Sequence, residues 1–437
     1  MDLVLPSLMA AGTLAAIMAG YPVALVMAGT SALFILLAGL PVSFFGLLVT
    51  RIFSNALSNW LLVSVPMFIF MGLILEKSGV AERAMRAAQG ALGGSPSSMA
   101  ISILLIGGLL AASSGIVGAS VILLTLMGLP RLVEAGYSKS LAAGLVGASG
   151  TLAILIPPSL MLIILGDQMQ ASIPRLFTGA VGPGLLLMLL YGGFMILMSP
   201  RRATATPQPP VSMARYAGFV REITPMMLLM VVVLGSILAG VATPTEASGV
   251  GALGALLLAA INGKASRDLI MRAARETATA TSMVMAIVIG ATCFAAVFRR
   301  IGGEDLIHSG LSLIGGGPWM VLFAMMVVIF LLGFFLDWLE ITLILIPIFV
   351  PIVQALDFGN GLKGADLIVW FGILVAVNLQ TSFLTPPFGP SLFFIRGTQT
   401  IGLTTPELYR GVAPFVLLQA LGLLLVALFP KVVFLFS

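Results

Sequence analysis

Apolar residues run along this chain in long blocks separated by short stretches rich in Gly, Pro, Lys and Arg. Most blocks approach the roughly 20 residues that a helix needs to cross a hydrocarbon core of about 30 Å. They predict spanning helices at residues 4–20, 21–40, 58–76, 137–168, 176–199, 222–241, 245–262, 277–298, 366–395 and 411–430. Two longer apolar stretches, 97–129 and 319–350, carry a polar break near the middle and predict re-entrant hairpins that enter and leave on one face. The most polar segment, 200–221, with Pro207, Pro209 and Pro210, predicts a linker between two halves.

The halves repeat each other. Gly79, Pro96, Pro130 and Pro157-Pro158 punctuate the first, and Gly302, Pro318, Pro351 and Pro386-Pro387 the second, with gaps of 17, 34 and 27 residues against 16, 33 and 35. The surplus in the last gap falls at 356–366, which reads as an inserted loop. The first unit begins with an outside-to-inside span and the second with the reverse, so the units are inverted, a common arrangement in secondary transporters. The fold class expected is therefore an all-α polytopic membrane protein of about ten spanning helices plus two re-entrant hairpins in inverted repeats.

Composition agrees. The 437 residues are 59% hydrophobic and 8% charged, with a mean hydropathy of +1.16, whereas soluble domains carry roughly 25% charged residues. The excess of basic groups lies in short loops and sets orientation rather than a nucleic-acid interface. With the N-terminus outside, Lys77, Arg83, Arg86, Arg131, Lys139, the basic residues of 201–221 and 264–275, Arg396 and Arg410 fall on the cytoplasmic side. Arg51, Arg175, Arg299, Arg300, Lys363 and Lys431 remain outside. Both termini are then periplasmic in a bacterial inner membrane. The lone Cys293 excludes an intrachain disulfide or a zinc cluster. The lone His308, in a Gly-rich connection, reads as a boundary residue rather than a ligand.

Chemistry is expected where the helical pattern breaks. Residues 113–120, Ser-Ser-Gly-Ile-Val-Gly-Ala-Ser, interrupt the first hairpin, and Gly333 followed by Asp337-Trp338-Leu339-Glu340 interrupts the second. Gly115 and Asp337 each lie 19 residues after the proline that opens their hairpin, so the tips are equivalent. Around Pro157-Pro158 and Pro386-Pro387 the spans must lose backbone hydrogen bonds. Carbonyls freed inside a membrane are costly unless they line a cavity or coordinate a cation. With Ser and Thr hydroxyls they suit sodium, and the N-termini of the half-helices suit a carboxylate. Two readings of Asp337 and Glu340 stand: cation, substrate or proton handling, since intramembrane acids usually face a cavity, or capping of the following half-helix. Glu246, after Thr243-Pro244, reads as a first-turn acid at a helix start.

The run 65–79 (VPMFIFMGLILEKSG), the Ser/Gly hairpin, 150–159 (GTLAILIPPS), 242–252 (ATPTEASGVGA), 337–347 (DWLEITLILIP) and 381–393 (TSFLTPPFGPSLF) together resemble the large membrane subunit of tripartite ATP-independent periplasmic (TRAP) transporters. The likeness extends over about residues 1–430 and is similar to the mannitol/chloroaromatic branch. It implies no enzyme and no cofactor, but a sodium-coupled elevator taking up a small organic acid, 2-oxo acids included. An extracytoplasmic binding protein would deliver the substrate, and a small four-helix membrane subunit would brace the scaffold. The chain then divides into N-terminal scaffold helices (1–57), a first repeat (58–199), a cytoplasmic linker (200–221), further scaffold helices (222–276) and a second repeat (277–437).

Carried onto this sequence, the resemblance implies one sodium site at Ser113, Ser114, Gly115, Gly118 and Ser120 with Gly150 and Thr151. It implies another at Asp337, Glu340 and Thr342 with Thr381, Ser382 and Thr385. Substrate would lie between the tips, near Ser114, Ser120, Pro157, Pro158, Ser159, Pro386 and Pro387. The first tip departs from the family's Ser-Gly-Ser-Ser pattern, leaving backbone carbonyls as its candidate ligands. A stand-alone anion or dicarboxylate carrier needing no binding protein is the alternative reading. An intramembrane hydrolase lacks a matching motif, and a pure scaffold does not explain paired broken helices.

Overall fold

The structure, a computed structural model, describes residues 3–91, 95–114, 117–200, 213–314, 316–387, 389–398 and 401–436, with side chains left aside at 81, 89–91, 111, 113–114, 213–215, 308 and 311–314. Among the described residues all regular structure is helical. Helices α1 (Val4–Met18) and α2 (Val23–Leu37) pack on each other, and α3 (Ser43–Ile52) continues into a π turn, Phe53–Leu57. Phe45, Leu47, Val49, Phe53 and Leu57 are exposed along this last stretch, as expected where lipid replaces water as solvent.

Seven helices follow in each unit, in the same order. The first unit holds α4 (Ser64–Lys77), α5 (Val80–Ala91), α6 (Pro96–Ser114), α7 (Val117–Glu134), α8 (Lys139–Thr151), α9 (Leu160–Met169) and α10 (Ile173–Leu197). Then come α11 (Met213–Leu238) and α12 (Pro244–Ile261). The second unit holds α13 (Arg267–Arg300), α14 (Gly303–Ile314), α15 (Pro318–Leu332), α16 (Trp338–Ala355), α17 (Gly364–Leu384), α18 (Pro390–Gly397) and α19 (Thr405–Leu428). Each unit is thus a long helix, a short helix, two paired arms, a broken helix and a closing span. Nine of the described helices are long and apolar enough to cross a membrane, and α7 and α16 are among them. Length alone therefore does not separate a hairpin arm from a span.

The hairpin arms run slightly further than the apolar stretches that predict them, 96–134 and 318–355, because the ends carry polar but helix-compatible residues. Three helices, α3, α5 and α14, are absent from the sequence reading. Both α5 and α14 lie where connections are expected, and α14 contains His308. In α5 the residues Val80, Ala84, Met85 and Ala88 are buried on one face, while Arg86 pairs with Glu82 at 3.2 Å on the other. That is an amphipathic helix too short and too charged to register as an apolar block. Gly79 (φ +70°) and Gly302 (φ +93°) turn the chain from the long helix into the short one at equivalent places. At these positive φ values a side chain is strained.

The core centres on α17, whose residues from Leu367 to Leu384 are all buried. Around it pack α8, α9, α10, α15, α16 and α19. Small residues let α8 and α19 approach closely: a Cβ on Gly144 would fall on the Gly411 carbonyl oxygen, and one on Gly411 on that of Ser140. This is the small-residue packing expected where helix association has no hydrophobic drive from water.

Capping fixes several helix starts. Thr243 and Glu246 form a reciprocal capping box at α12, with the Thr243 N–H donating to Glu246 Oε2 at 2.8 Å. Thr404 and Glu407 do the same at α19. Glu246 is therefore a helix-start residue, as its sequence context suggests. Thr243→Ala is expected to lower stability by about 1 kcal/mol, visible as a shift in the unfolding midpoint of the purified protein with solute uptake unchanged.

Candidate functional site

The first arm of the first hairpin ends at Ser113 and Ser114, the last residues of α6. Their side chains and the whole of Gly115 lie outside the described residues. On the other arm, the first turn of α7 is wedged between two helices. A Cβ on Gly118 would stand 2.8 Å from the Phe394 ring of α18, and one on Gly150, at the end of α8, would stand 3.1 Å from the Val121 Cα. Ser120 is buried in this wedge. Glycine at 118 and 150 is thus dictated by close approach.

The second hairpin is held in the corresponding way. Gly333, at the end of α15, backs onto Ser382 of α17, where a Cβ would come within 2.7 Å of the Ser382 Cβ. Arm α16 packs on α17 and also on α9, while arm α7 packs on α8 and also on α18. Each hairpin therefore touches the broken helix of its own unit and the post-break half-helix of the other. The core is closed by this crossed contact, and neither unit completes it alone.

Both helix breaks occur where paired prolines remove amide donors. Helix α8 ends at Thr151, tightens through a 3-10 turn, Leu152–Ile154, and restarts at Leu160; α17 ends at Leu384 and α18 begins at Pro390. The Pro157-Pro158 and Pro386-Pro387 peptide bonds are cis. Ser159 donates to the Ile154 carbonyl at 2.7 Å, recovering one freed acceptor. Pro157, Pro158 and Ser159 are buried, Pro386 is half-buried and Pro387 is exposed.

The hydroxyls that the resemblance implies for cation binding share one feature. Thr381 donates to the Val377 carbonyl at 2.9 Å, Ser382 to Leu379 at 2.8 Å, Thr385 to Thr381 at 2.7 Å and Thr342 to Trp338 at 2.7 Å. With each proton committed to its own helix, the oxygen lone pairs are what these groups can offer a ligand. Thr151 likewise donates to the Ala148 carbonyl at 2.9 Å, but its oxygen faces Gln380 and Gln419. Gly150, one residue earlier, faces the hairpin instead.

Asp337 and Glu340 form a capping box at α16: the Asp337 carboxylate accepts from the Trp338 N–H at 2.8 Å, and Glu340 accepts from the Asp337 N–H. Glu340 is buried and Asp337 half-buried. Two acids in one cap bring two carboxyl groups together at the hairpin tip, at the positive end of the α16 dipole.

A second polar locus escapes sequence reasoning. Where α3, α9, α13 and α16 meet, a cavity of about 100 Å³ is lined by Arg51, Asn55, Gln168, Thr292 and Arg299 among others. Arg299 donates to the Pro347 carbonyl at 3.1 Å and pairs with Glu304 at 3.4 Å. Arg51 makes no ion pair among the described residues. Leu343 and Pro347 also line this cavity; they lie six and ten residues beyond Asp337, roughly 9 and 15 Å along the helix. Two guanidinium groups, two primary amides and a hydroxyl converge there, a donor set suited to a carboxylate. In the sequence these arginines register only as loop charges, because the partners that make a pocket of them come from four separate helices.

The family model described as tripartite ATP-independent periplasmic transporter, DctM component, matches residues 11–432. The C4-dicarboxylate TRAP transporter large permease protein DctM of Pseudomonas aeruginosa is 31% identical over 86% of this chain and 85% of its own length. The sialic acid TRAP transporter large permease protein SiaM of Vibrio cholerae is 28% identical over 91% and 94%. The crystal structure of the Alcanivorax borkumensis YdaH transporter superposes with a TM-score of 0.62 at 14% identity, covering 89% of this chain and 88% of that one, a likeness of fold. With paired hairpins, paired broken helices and this match along nearly its whole length, the chain belongs to the TRAP transporters as a large permease subunit, a multi-pass inner-membrane transport protein and not an enzyme.

Proposed function

We propose that this permease takes up a small organic acid by sodium-coupled secondary transport, with the hairpins and broken helices sliding as one body against the remaining helices. The observation that carries the proposal is the crossed packing of α7 on α18 and α16 on α9, which ties both tips and both breaks into a single unit. Oxygen-rich breaks beside the tips suit the cation, and the pocket of Arg51 and Arg299 suits the carboxylate. In the orientation set by loop charge, that pocket lies on the outer side of the tips, where a substrate would arrive from an extracytoplasmic binding protein. A small four-helix membrane subunit would complete the complex by covering apolar surface on the helices that do not slide.

The test is uptake by liposomes containing this chain, its small subunit and its binding protein, across a panel of labelled organic acids. Uptake that follows an inward sodium gradient supports the proposal; uptake indifferent to sodium sinks it. Uptake by this chain alone would favour the stand-alone carrier.

One substitution separates the two roles open to Asp337. Asparagine caps helices as well as aspartate does, so Asp337→Asn keeps the cap and removes the charge. Thermal stability is expected to stay at the wild-type level while sodium-driven uptake falls about tenfold, the loss of one charge-assisted contact of ~1.5 kcal/mol. Unchanged uptake would reduce Asp337 to a cap.

A further inference from the structure

Pro351 leaves an acceptor open in the second hairpin. In a continuous helix the Pro347 carbonyl bonds the amide four residues on, but that residue is Pro351, inside α16 and without an amide proton. A carbonyl left in this way needs a donor from outside its own helix. Arg299 supplies one from the last turn of α13, donating at 3.1 Å across the seam between the hairpin and the helices that do not slide. Arg299 and Pro347 both line the cavity of about 100 Å³ proposed for the carboxylate. The guanidinium that would take the solute is therefore the group that holds the hairpin arm.

The first unit has the same open acceptor with a different partner. Pro130 stands inside α7 as Pro351 stands inside α16, 51 residues after Gly79 against 49 after Gly302, and removes the amide that would bond the Leu126 carbonyl. Three residues before Gly302 is Arg299; three before Gly79 is Glu76. An ionised carboxylate accepts and does not donate, so Glu76 offers nothing to a carbonyl. Helix α4, which carries Glu76, packs on arm α6, whereas α13 packs on arm α16. In the orientation set by loop charge, the inverted repeat thus puts a carboxylate-attracting group at the outer seam and a carboxylate-repelling one at the inner.

We propose that the Arg299–Pro347 bond is a latch on the second hairpin, opened by the carboxylate of the incoming solute. The carbonyl is a neutral acceptor, and hydrogen bonds to an ionised one are roughly twice as strong. A carboxylate in the cavity takes the guanidinium and frees α16 to move. An empty carrier stays latched, and arrival of solute releases it. This inference rests on the reading of the cavity as the carboxylate site and adds the regulation of that site.

The experiment measures the distance across the seam by double electron–electron resonance on the complete complex in liposomes. Spin labels are placed at Thr50→Cys on α3 and Gln354→Cys on α16, both exposed, with the buried Cys293 replaced by serine. Wild type in sodium chloride is expected to show one dominant distance, and sodium acetate at matched ionic strength to populate a second, longer one. Pro351→Ala returns an amide to the Pro347 carbonyl in competition with Arg299. The longer distance should then rise about tenfold without acetate, the worth of one hydrogen bond from a charged group. Should that variant fail to fold, Arg299→Gln gives the same readout. Pro130→Ala, at the equivalent place with no donor to displace, should match wild type. An unchanged distance in Pro351→Ala, no response of wild type to acetate, or the same shift in Pro130→Ala overturns the latch. The carboxylate-site reading fails separately: wild-type uptake by Arg299→Gln removes the cavity from the transport path, while the Pro351→Ala distances still decide whether Arg299 holds the hairpin.

Discussion

Gly411→Leu is expected to abolish recovery of folded permease. Helices α8 and α19 cross with backbone against backbone: the Cβ of any residue at 411 would stand 1.9 Å from the Ser140 carbonyl oxygen, and one at 144 would stand 2.1 Å from that of Gly411. Ordinary overpacking costs about 1–3 kcal/mol because side chains can shift. Here the obstacle is main chain, so one helix must move away from the other. Helix α19 also packs on α10 and α17, so displacement would open the most buried part of the core. A loss larger than the ordinary range is a large share of the roughly 5–15 kcal/mol that holds a typical protein folded. Size-exclusion chromatography of a fluorescent fusion, extracted from membranes, reads the outcome. Gly411→Ala should already reduce the monodisperse peak and Gly411→Leu remove it, whereas Gly193→Leu, on α10 with no atom within 4 Å of its Cβ, should match wild type. A normal peak for Gly411→Leu would show that the helices do not cross this closely.

The glycines and prolines that make the sequence legible are legible for this same reason. Pro96, Pro318 and Pro390 open helices at the positions where a missing amide proton is harmless, and paired prolines mark the two breaks. Such residues act on their own backbone, so their meaning survives in a one-dimensional reading, and the repeat emerges from their spacing. Helices α5 and α14 are not legible in this way. Helix α5 depends on a buried face and on an ion pair, Arg83 with Glu222 at 3.2 Å, whose partner lies far along the chain. The candidate site divides along the same line. Gly118, Gly150, Asp337 and Ser382 can be placed from local pattern, whereas Arg51 and Arg299 look like loop charges until four helices are brought together.

Arg299→Gln is expected to lower solute uptake roughly tenfold, the consequence of removing one charge-assisted contact worth about 1.5 kcal/mol at a group that stays partly wet. The arginine is placed at the end of the 34-residue helix α13 and reaches the carbonyl of Pro347 in the second hairpin. It therefore spans the boundary across which the proposed sliding occurs. Its ion pair with Glu304 joins side chains 37% and 55% exposed, and pairs this wet contribute little, so the guanidinium can turn to an incoming carboxylate at small cost. Arg299→Lys keeps the charge without the planar fork, and should retain a measurable fraction of uptake, mainly at raised solute concentration. Arg51→Gln should cost only severalfold, because Arg51 is exposed and water screens its field. Initial rates in the liposome assay, with solute concentration varied, separate these outcomes. A loss in Arg299→Gln that saturating solute repairs assigns the residue to carboxylate binding, while a loss that persists at saturation assigns it to the α13–α16 contact and the motion it regulates. Wild-type uptake by Arg299→Gln would remove this pocket from the transport path.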